Sequence, residues 1–156
     1  MAVFEKVAED ARGPITEVQI KREDAMRGRL RIRAPDGEDL VIDLPRGLMV
    51  RDRDIFGPSQ KGTYYRTHIV PEPVLKVTLM GAQSIESALR LGYSLGNHHL
   101  EVLVDRESAY LPLTLGAEKL REILRRTGLP VETQIVQKVI SPGTSGYFAG
   151  EEEEGA

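Results

Sequence analysis

Three imidazoles and no thiol define the metal chemistry open to this chain. The histidines are His68, His98 and His99, and cysteine is absent. Disulfides and thiolate catalysis are therefore excluded, and any metal ion must be held by nitrogen or oxygen. His98 and His99 lie within residues 91–105, LGYSLGNHHLEVLVD. Gly96-Asn97 is a helix-stop and turn signal, because glycine takes a left-handed backbone at no steric cost and asparagine tolerates one. Beyond it Leu100, Val102 and Val104 alternate with His99, Glu101, Leu103 and Asp105, which predicts a strand over 99–105. Successive strand side chains point to opposite faces, so His98 falls on the apolar side and His99 on the mixed one. Adjacent strand residues cannot easily share one ion, and His99 is the better candidate for chemistry. His68 has no second ligand at useful spacing and reads as an ordinary strand or loop histidine.

One imidazole makes a weak site, and a two-fold dimer changes that by bringing the same residue from both subunits to the axis. Two His99 rings would supply two nitrogens and leave water or tail groups for the rest. Imidazole suits Ni²⁺, Cu²⁺ and Zn²⁺, whereas Mg²⁺ and Ca²⁺ prefer oxygen. So thin a coordination shell binds and releases, which fits a carrier rather than a catalyst. From spacing alone, a buried or capping histidine remains the default reading.

Composition narrows the partners. With 156 residues the chain holds one or two small domains. A hydrophobic content of 40% and a charged content of 29% describe a soluble globular protein. The net charge of -3 gives no reason to expect nucleic acid or an anionic membrane. The first twenty residues lack the apolar core of an export signal, and no apolar run approaches the ~20 residues that span a bilayer. The expectation is a cytoplasmic protein.

The elements that must position the histidines fall into two blocks. Residues 15–56 read as strands. Ile15, Val18 and Ile20 open the region, Lys21-Arg22-Glu23-Asp24 interrupts it, and residues 28–33 alternate arginine with Leu30 and Ile32. Pro35-Asp36-Gly37 supplies a turn, and Leu40, Ile42 and Leu44 resume the alternation, which predicts a hairpin. Pro45-Arg46-Gly47 turns again before Leu48-Met49-Val50, and Asp52-Arg53-Asp54 leads into Ile55-Phe56. No helical period emerges, so residues 1–71 are expected to form a small all-β domain. The arginines between apolar positions are what a half-buried sheet turns toward water. Residues 57–63 form a breaker-rich loop, residues 64–70 an extended segment, and Pro71-Glu72-Pro73 a stiff link.

From residue 74 the pattern mixes strands and helices. Residues 74–79 read as a strand, and Ser84 caps a helix with Ile85, Ala88, Leu89 and Gly92 at helical spacing. The 99–105 strand, a turn and a strand over 109–113 follow. A second helix over 117–127 carries Leu120, Ile123 and Leu124 on one face, and a last strand spans 131–140. The order βαββαβ over residues 72–140 predicts a ferredoxin-like domain, with both helices on one face of an antiparallel sheet and His99 on the open one. The fold class is thus α+β. Residues 141–156, ending in Glu151-Glu152-Glu153-Glu154-Gly155-Ala156, read as a flexible acidic tail.

Gly96-Asn97-His98-His99 after a helix resembles the Gly-Asn-Arg-His motif of the UreE family of urease accessory nickel chaperones. Val41-Ile42-Asp43-Leu44-Pro45-Arg46-Gly47, followed by Val50-Arg51-Asp52-Arg53-Asp54-Ile55, is similar to that family's N-terminal signature of apolar strand, Pro-Arg-Gly and basic-acidic turn. Pro73-Val74-Leu75-Lys76-Val77 resembles the start of its C-terminal domain. The likeness runs in consistent order over most of residues 15–135. It implies an N-terminal domain that docks to urease or its accessory complex, and a ferredoxin-like domain that binds metal and forms the homodimer. It also implies delivery of Ni²⁺ to apo-urease with the accessory GTPase, with Zn²⁺ or Cu²⁺ able to bind in vitro. The motif assigns the metal to His99. His98 replaces the family's usual arginine and offers a secondary, rim ligand, while the histidine-rich tail of many members is replaced by glutamates.

Three rival readings stand beside this one. The first is a protein-binding module of the urease assembly that carries no metal. The second is an RNA-binding domain with the same element order, but that module stacks bases on strand aromatics, and residues 74–79 and 99–105 have none. The third is a small enzyme, for which no paired acid–base group or activated nucleophile is visible.

Overall fold

The computed structural model describes residues 1–81 and 84–150, and the chain falls into two units. The first comprises Met1–Val70 with Val139–Thr144, the second Pro71–Lys138 with Ser145–Ala156.

The first unit holds β1 (Ala2–Phe4), β2 (Ile15–Ile20), α1 (Arg22–Arg27), β3 (Arg29–Arg33), β4 (Asp39–Asp43), β5 (Ile55–Phe56) and β6 (Tyr64–Ile69). These make two mixed three-stranded sheets, ordered β1-β4-β3 and β2-β6-β5. The expected hairpin is present: Leu30 lies opposite Ile42 and Ile32 opposite Leu40, with Leu40 and Ile42 buried. Gly37 N–H donates to Ala34 O at 2.9 Å and Asp36 Oδ1 accepts from Glu38 N–H at 3.0 Å, which closes the turn. Phe4, Phe56 and Tyr65, one from each of β1, β5 and β6, meet at centroid distances of 6.1 and 6.3 Å and tie the two sheets into one core.

Two elements of this unit were not read from the sequence, a short helix and the first strand. Residues 21–24 are not an interruption but the start of α1, a helix of six residues. Glu23 and Asp24 sit in its first turn and Arg27 in its last, which matches the helix dipole. Arg22 and Ala25 form its buried face, and Gly28 ends it at φ +65°, where a β-carbon would strike Leu48 O. A six-residue helix has too few turns to display a period. β1 was likewise invisible, since three residues show no alternation, yet it adds parallel to β4.

The second unit runs β7 (Glu72–Leu79), α2 (Ile85–Asn97), β8 (Val102–Asp105), β9 (Ser108–Pro112), a 3-10 turn (Leu113–Leu115), α3 (Ala117–Arg126), β10 (Val131–Lys138) and β11 (Tyr147–Phe148). The sheet order β10-β7-β9-β8-β11 is antiparallel throughout and contains the βαββαβ arrangement expected. Leu75, Val77, Leu111, Leu91, Leu95, Leu120 and Leu124 form its core, the first three from the sheet and the rest from the helices. Ser84 caps α2, its hydroxyl accepting from Ser87 N–H at 3.1 Å. β7 begins at Glu72 with Pro73 opposite Gln137, so this proline stands inside the sheet rather than in a link.

Residues 141–150, expected as part of a flexible tail, carry structure instead. Ser141 Oγ accepts from Asp52 N–H at 2.9 Å, Tyr147 is buried, and β11 adds a fifth strand beside β8. Tyr147 and Phe148 supply strand-forming aromatics in a segment whose glycines and serines otherwise signal coil. The glutamates at 151–154 lie outside the described residues.

Candidate metal centre

α2 runs through Gly96 and ends at Asn97, one residue beyond the glycine expected to stop it. His98 is its C-cap (φ -90°, ψ 7°), and His99 takes the left-handed conformation at φ +53°. The turn closes with His99 N–H donating to Gly96 O at 3.0 Å and Leu100 N–H to Leu95 O at 3.2 Å. This pair of bonds is the Schellman ending, in which an apolar residue just past the turn packs against one in the last helical turn. Leu95 is buried and Leu100 packs on the same core, so five-residue apolar spacing sets where the helix stops.

The strand expected over 99–105 therefore begins at Val102. The parity argument that placed His98 on an apolar face and His99 on a mixed one fails, because neither residue is in a strand. Both rings are exposed, at consecutive positions of a helix end. A cleft of about 220 Å³ lies beside them, with Glu101, Thr114 and Gly150 among its walls. The C-terminal segment forms one side of it. Tyr147 Oη donates to Glu101 Oε2 at 3.4 Å, and Gly150 sits so close to the His99 carbonyl that no larger residue fits. Nothing in the glycine-rich sequence around these residues pointed to them, although the two aromatics were a strand signal.

His68 belongs to the first unit, on β6, where its Nε2 contacts Glu17 Oε2. Arg66 grips the same carboxylate with Nη2 at 2.8 Å and Nε at 3.1 and 3.2 Å. Arg66 first, then His68, hold the Glu17 carboxyl below its ordinary range. His68 is thus engaged in a surface ion-pair cluster. Among the described residues no group of three or more His, Cys, Asp or Glu is placed to hold a metal ion.

The sheet face away from the helices mixes polar Lys76, Thr78, Ser108 and Gln134 with buried Val74 and Leu103. Lys138 Nζ lies 4.3 Å above the Tyr110 ring and 3.5 Å from Asp105. Exposed apolar area lies on α2 instead. Ile85, Leu89 and Tyr93 are 82%, 68% and 77% exposed and recur every four residues, a stripe that runs toward the histidine end. No helix among the described residues is long and apolar enough to cross a membrane.

Residues 4–61 match the family model described as UreE urease accessory protein, N-terminal domain. A Urease accessory protein UreE of Nostoc sp. is 33% identical over 114 residues, covering 73% of this chain and 74% of the relative. One of Microcystis aeruginosa is 34% identical over 113 residues, 72% and 67% of the two chains. One of Ralstonia nicotianae is 34% identical over 125 residues, 80% of this chain and 54% of the longer relative. The relatives are named as accessory proteins and not as catalysts, and the matched span takes in both units. With a third of the aligned residues identical over about three quarters of each chain, the chain belongs to the UreE urease accessory protein family.

Proposed function

We propose that this chain carries Ni²⁺ in the assembly of the urease metal centre. Two copies associate through the second unit, the two His99 rings converge on the symmetry axis, and the ion passes to apo-urease with the accessory GTPase complex. The first unit docks to that assembly. The observation that carries the reading is the continuity of α2: its exposed apolar stripe leads into the turn that displays His98 and His99. A stripe of this kind is stable in water when another surface covers it. A second copy seated on it would bring like against like and place the helix ends together. His98, at the cap beside His99, then stands at the rim as a secondary ligand. Oxygen donors follow in sequence, since the glutamates at 151–154 continue directly from Gly150.

Nickel is cargo here, so a shell of two imidazoles completed by water or carboxylate suits capture and release. Zn²⁺ and Cu²⁺ accept the same donors. A module of the assembly without metal carriage is the second reading, and the lack of a three-donor cluster within one chain, among the described residues, favours it. Equilibrium Ni²⁺ titration with the mass of the complex measured alongside separates the two. Carriage requires one tight ion per dimer, lost in His99→Ala while the dimer persists. A dimer with no tight ion supports the second reading, and a monomer at micromolar concentration with or without Ni²⁺ sinks the shared site.

A further inference from the structure

Arg53 stands at φ +68°, in the left-handed region where a β-carbon is crowded and glycine fits without strain. The surroundings hold it there from several sides. Arg53 N–H donates to Thr67 O at 2.7 Å, and Thr67 N–H donates to Asp54 O at 2.9 Å. The hydroxyl of Thr67, a fully buried residue, reaches Arg51 O at 3.0 Å and Asp54 O at 3.2 Å. Asp54 Oδ2 accepts from Arg51 N–H and Asp52 Oδ1 from Ile69 N–H, both at 2.8 Å.

This rigid turn displays two exposed guanidinium groups. Arg29, Arg31 and Arg66 of the same unit each pair with a carboxylate. Arg51 and Arg53 form no ion pair among the described residues. Arg51 also borders a mainly apolar cavity of about 450 Å³ walled by Val7, Leu44, Pro45, Leu48 and Met49, with Glu5, Lys6 and Asp54 at its polar edge. Leu48, at its rim, is 56% exposed. Backbone strain persists where the surrounding structure enforces it, and it gathers at functional positions. Here the strained residue presents a charge that the chain itself does not use.

We propose that the 51–54 turn and the cavity beside it dock an acidic segment of a partner protein that carries an apolar anchor. Carboxylates satisfy the guanidinium forks in two-pronged fashion, and an aliphatic side chain fills the cavity, as anchors do at the centre of interfaces. A nucleic acid would offer anions but nothing for the apolar walls, and the chain's net charge of -3 opposes it. The proposal rests on the reading that the first unit docks to the urease assembly, and it names the chemistry of that contact.

The test uses the full-length chain with Arg53→Gly, Arg51→Gln and Leu48→Ser, against three probes. These are a synthetic peptide of alternating Glu and Leu, apo-urease with its accessory proteins, and a single-stranded RNA oligonucleotide. Arg53→Gly should melt no lower than the parent, and up to ~3 °C higher as strain is released. It should still bind the peptide about tenfold more weakly, with Arg51→Gln alike, and the difference should shrink in high salt. Leu48→Ser should weaken binding without altering the salt dependence. Arginine variants within twofold of the parent on the peptide would overturn the proposal, as would a parent that binds neither protein probe or prefers the RNA. Peptide binding that emerges only after removal of residues 151–156 would make the chain's own tail the occupant and also overturn it. If the peptide binds through the arginines and apo-urease does not, the docking chemistry stands and the urease reading falls. If apo-urease binds parent and variants alike, the reverse holds.

Discussion

Replacing His99 with glycine removes the imidazole and at the same time relaxes the backbone beneath it. At φ +53° a side chain costs about 1–2 kcal/mol relative to a right-handed position. Glycine avoids that strain and gives back about 0.5–1 kcal/mol through its freer unfolded chain. The net expectation is a neutral to favourable change of up to ~1 kcal/mol. For a chain of this length that raises the melting temperature by about 0–4 °C. The metal readout moves the other way. At a free Ni²⁺ concentration a hundredfold above Kd, bound ion should stabilise the parent by about 2.7 kcal/mol, and His99→Gly should gain almost none of it. Calorimetric melts of parent, His99→Gly and His99→Ala, each with and without Ni²⁺, separate the two effects. His99→Ala keeps the strained backbone without the ring and should melt with the apo parent. If apo His99→Gly melts several degrees below the parent, the ring is a structural cap. If its Ni²⁺ stabilisation survives, His99 is not the ligand. Either result refutes the reasoning.

His98→Ala should weaken Ni²⁺ far less than His99→Ala, which paired calorimetric titrations will read; equal or reversed effects would exchange the two roles. Leu89→Glu puts a charge in the middle of the exposed α2 stripe and should shift the particle from dimer to monomer by light scattering, with the circular dichroism of the apo chain unchanged. Tyr65 is buried, donates to Asp36 Oδ2 at 2.9 Å, and burial followed by that carboxylate pushes its phenol up to about 12. Because the folded value lies above the unfolded one, its contribution is complete below pH ~10 and is lost as pH rises through about 12. The stability involved is on the order of 2–3 kcal/mol. Tyr65→Phe should therefore flatten the fall in melting temperature between pH 10 and 12, and an unchanged alkaline slope would exclude Tyr65 as its source.

Long periodic elements were legible, and short ones were not. Leu30, Ile32, Leu40 and Ile42 announce their hairpin because each strand spans two full alternations, and Leu120, Ile123 and Leu124 announce α3 by one clear face. β1 and β11 contain three and two residues, and α1 six, so none offers a period to read, whereas β5 was found from the turn before it. What holds these pieces is tertiary: Phe4 and Phe56 join the aromatic core with Tyr65, and Ala25 is wholly covered. Their existence depends on partners distant in sequence, which local pattern does not register.

The candidate site shows the same division in sharper form. That His98 and His99 stand together at the end of a helix could be read from Gly96-Asn97 and the apolar run that follows. The reading erred by treating glycine as the stop. Gly92 and Gly96 both lie inside α2, and the helix tolerates them because Leu91, Leu95 and Leu100 bind its inner face to the sheet. Packing of Leu95 and Leu100 fixes the turn, and the turn in turn gives the left-handed position to His99. An apolar pair five residues apart, bracketing a polar stretch, was the available signal. It changes the meaning of the two histidines. On a strand they would face opposite ways and serve different surfaces; at a helix end they are exposed side by side at the foot of an apolar stripe. The proposed shared site therefore rests on where the helix stops and on the exposed stripe that leads to it, and not on strand parity.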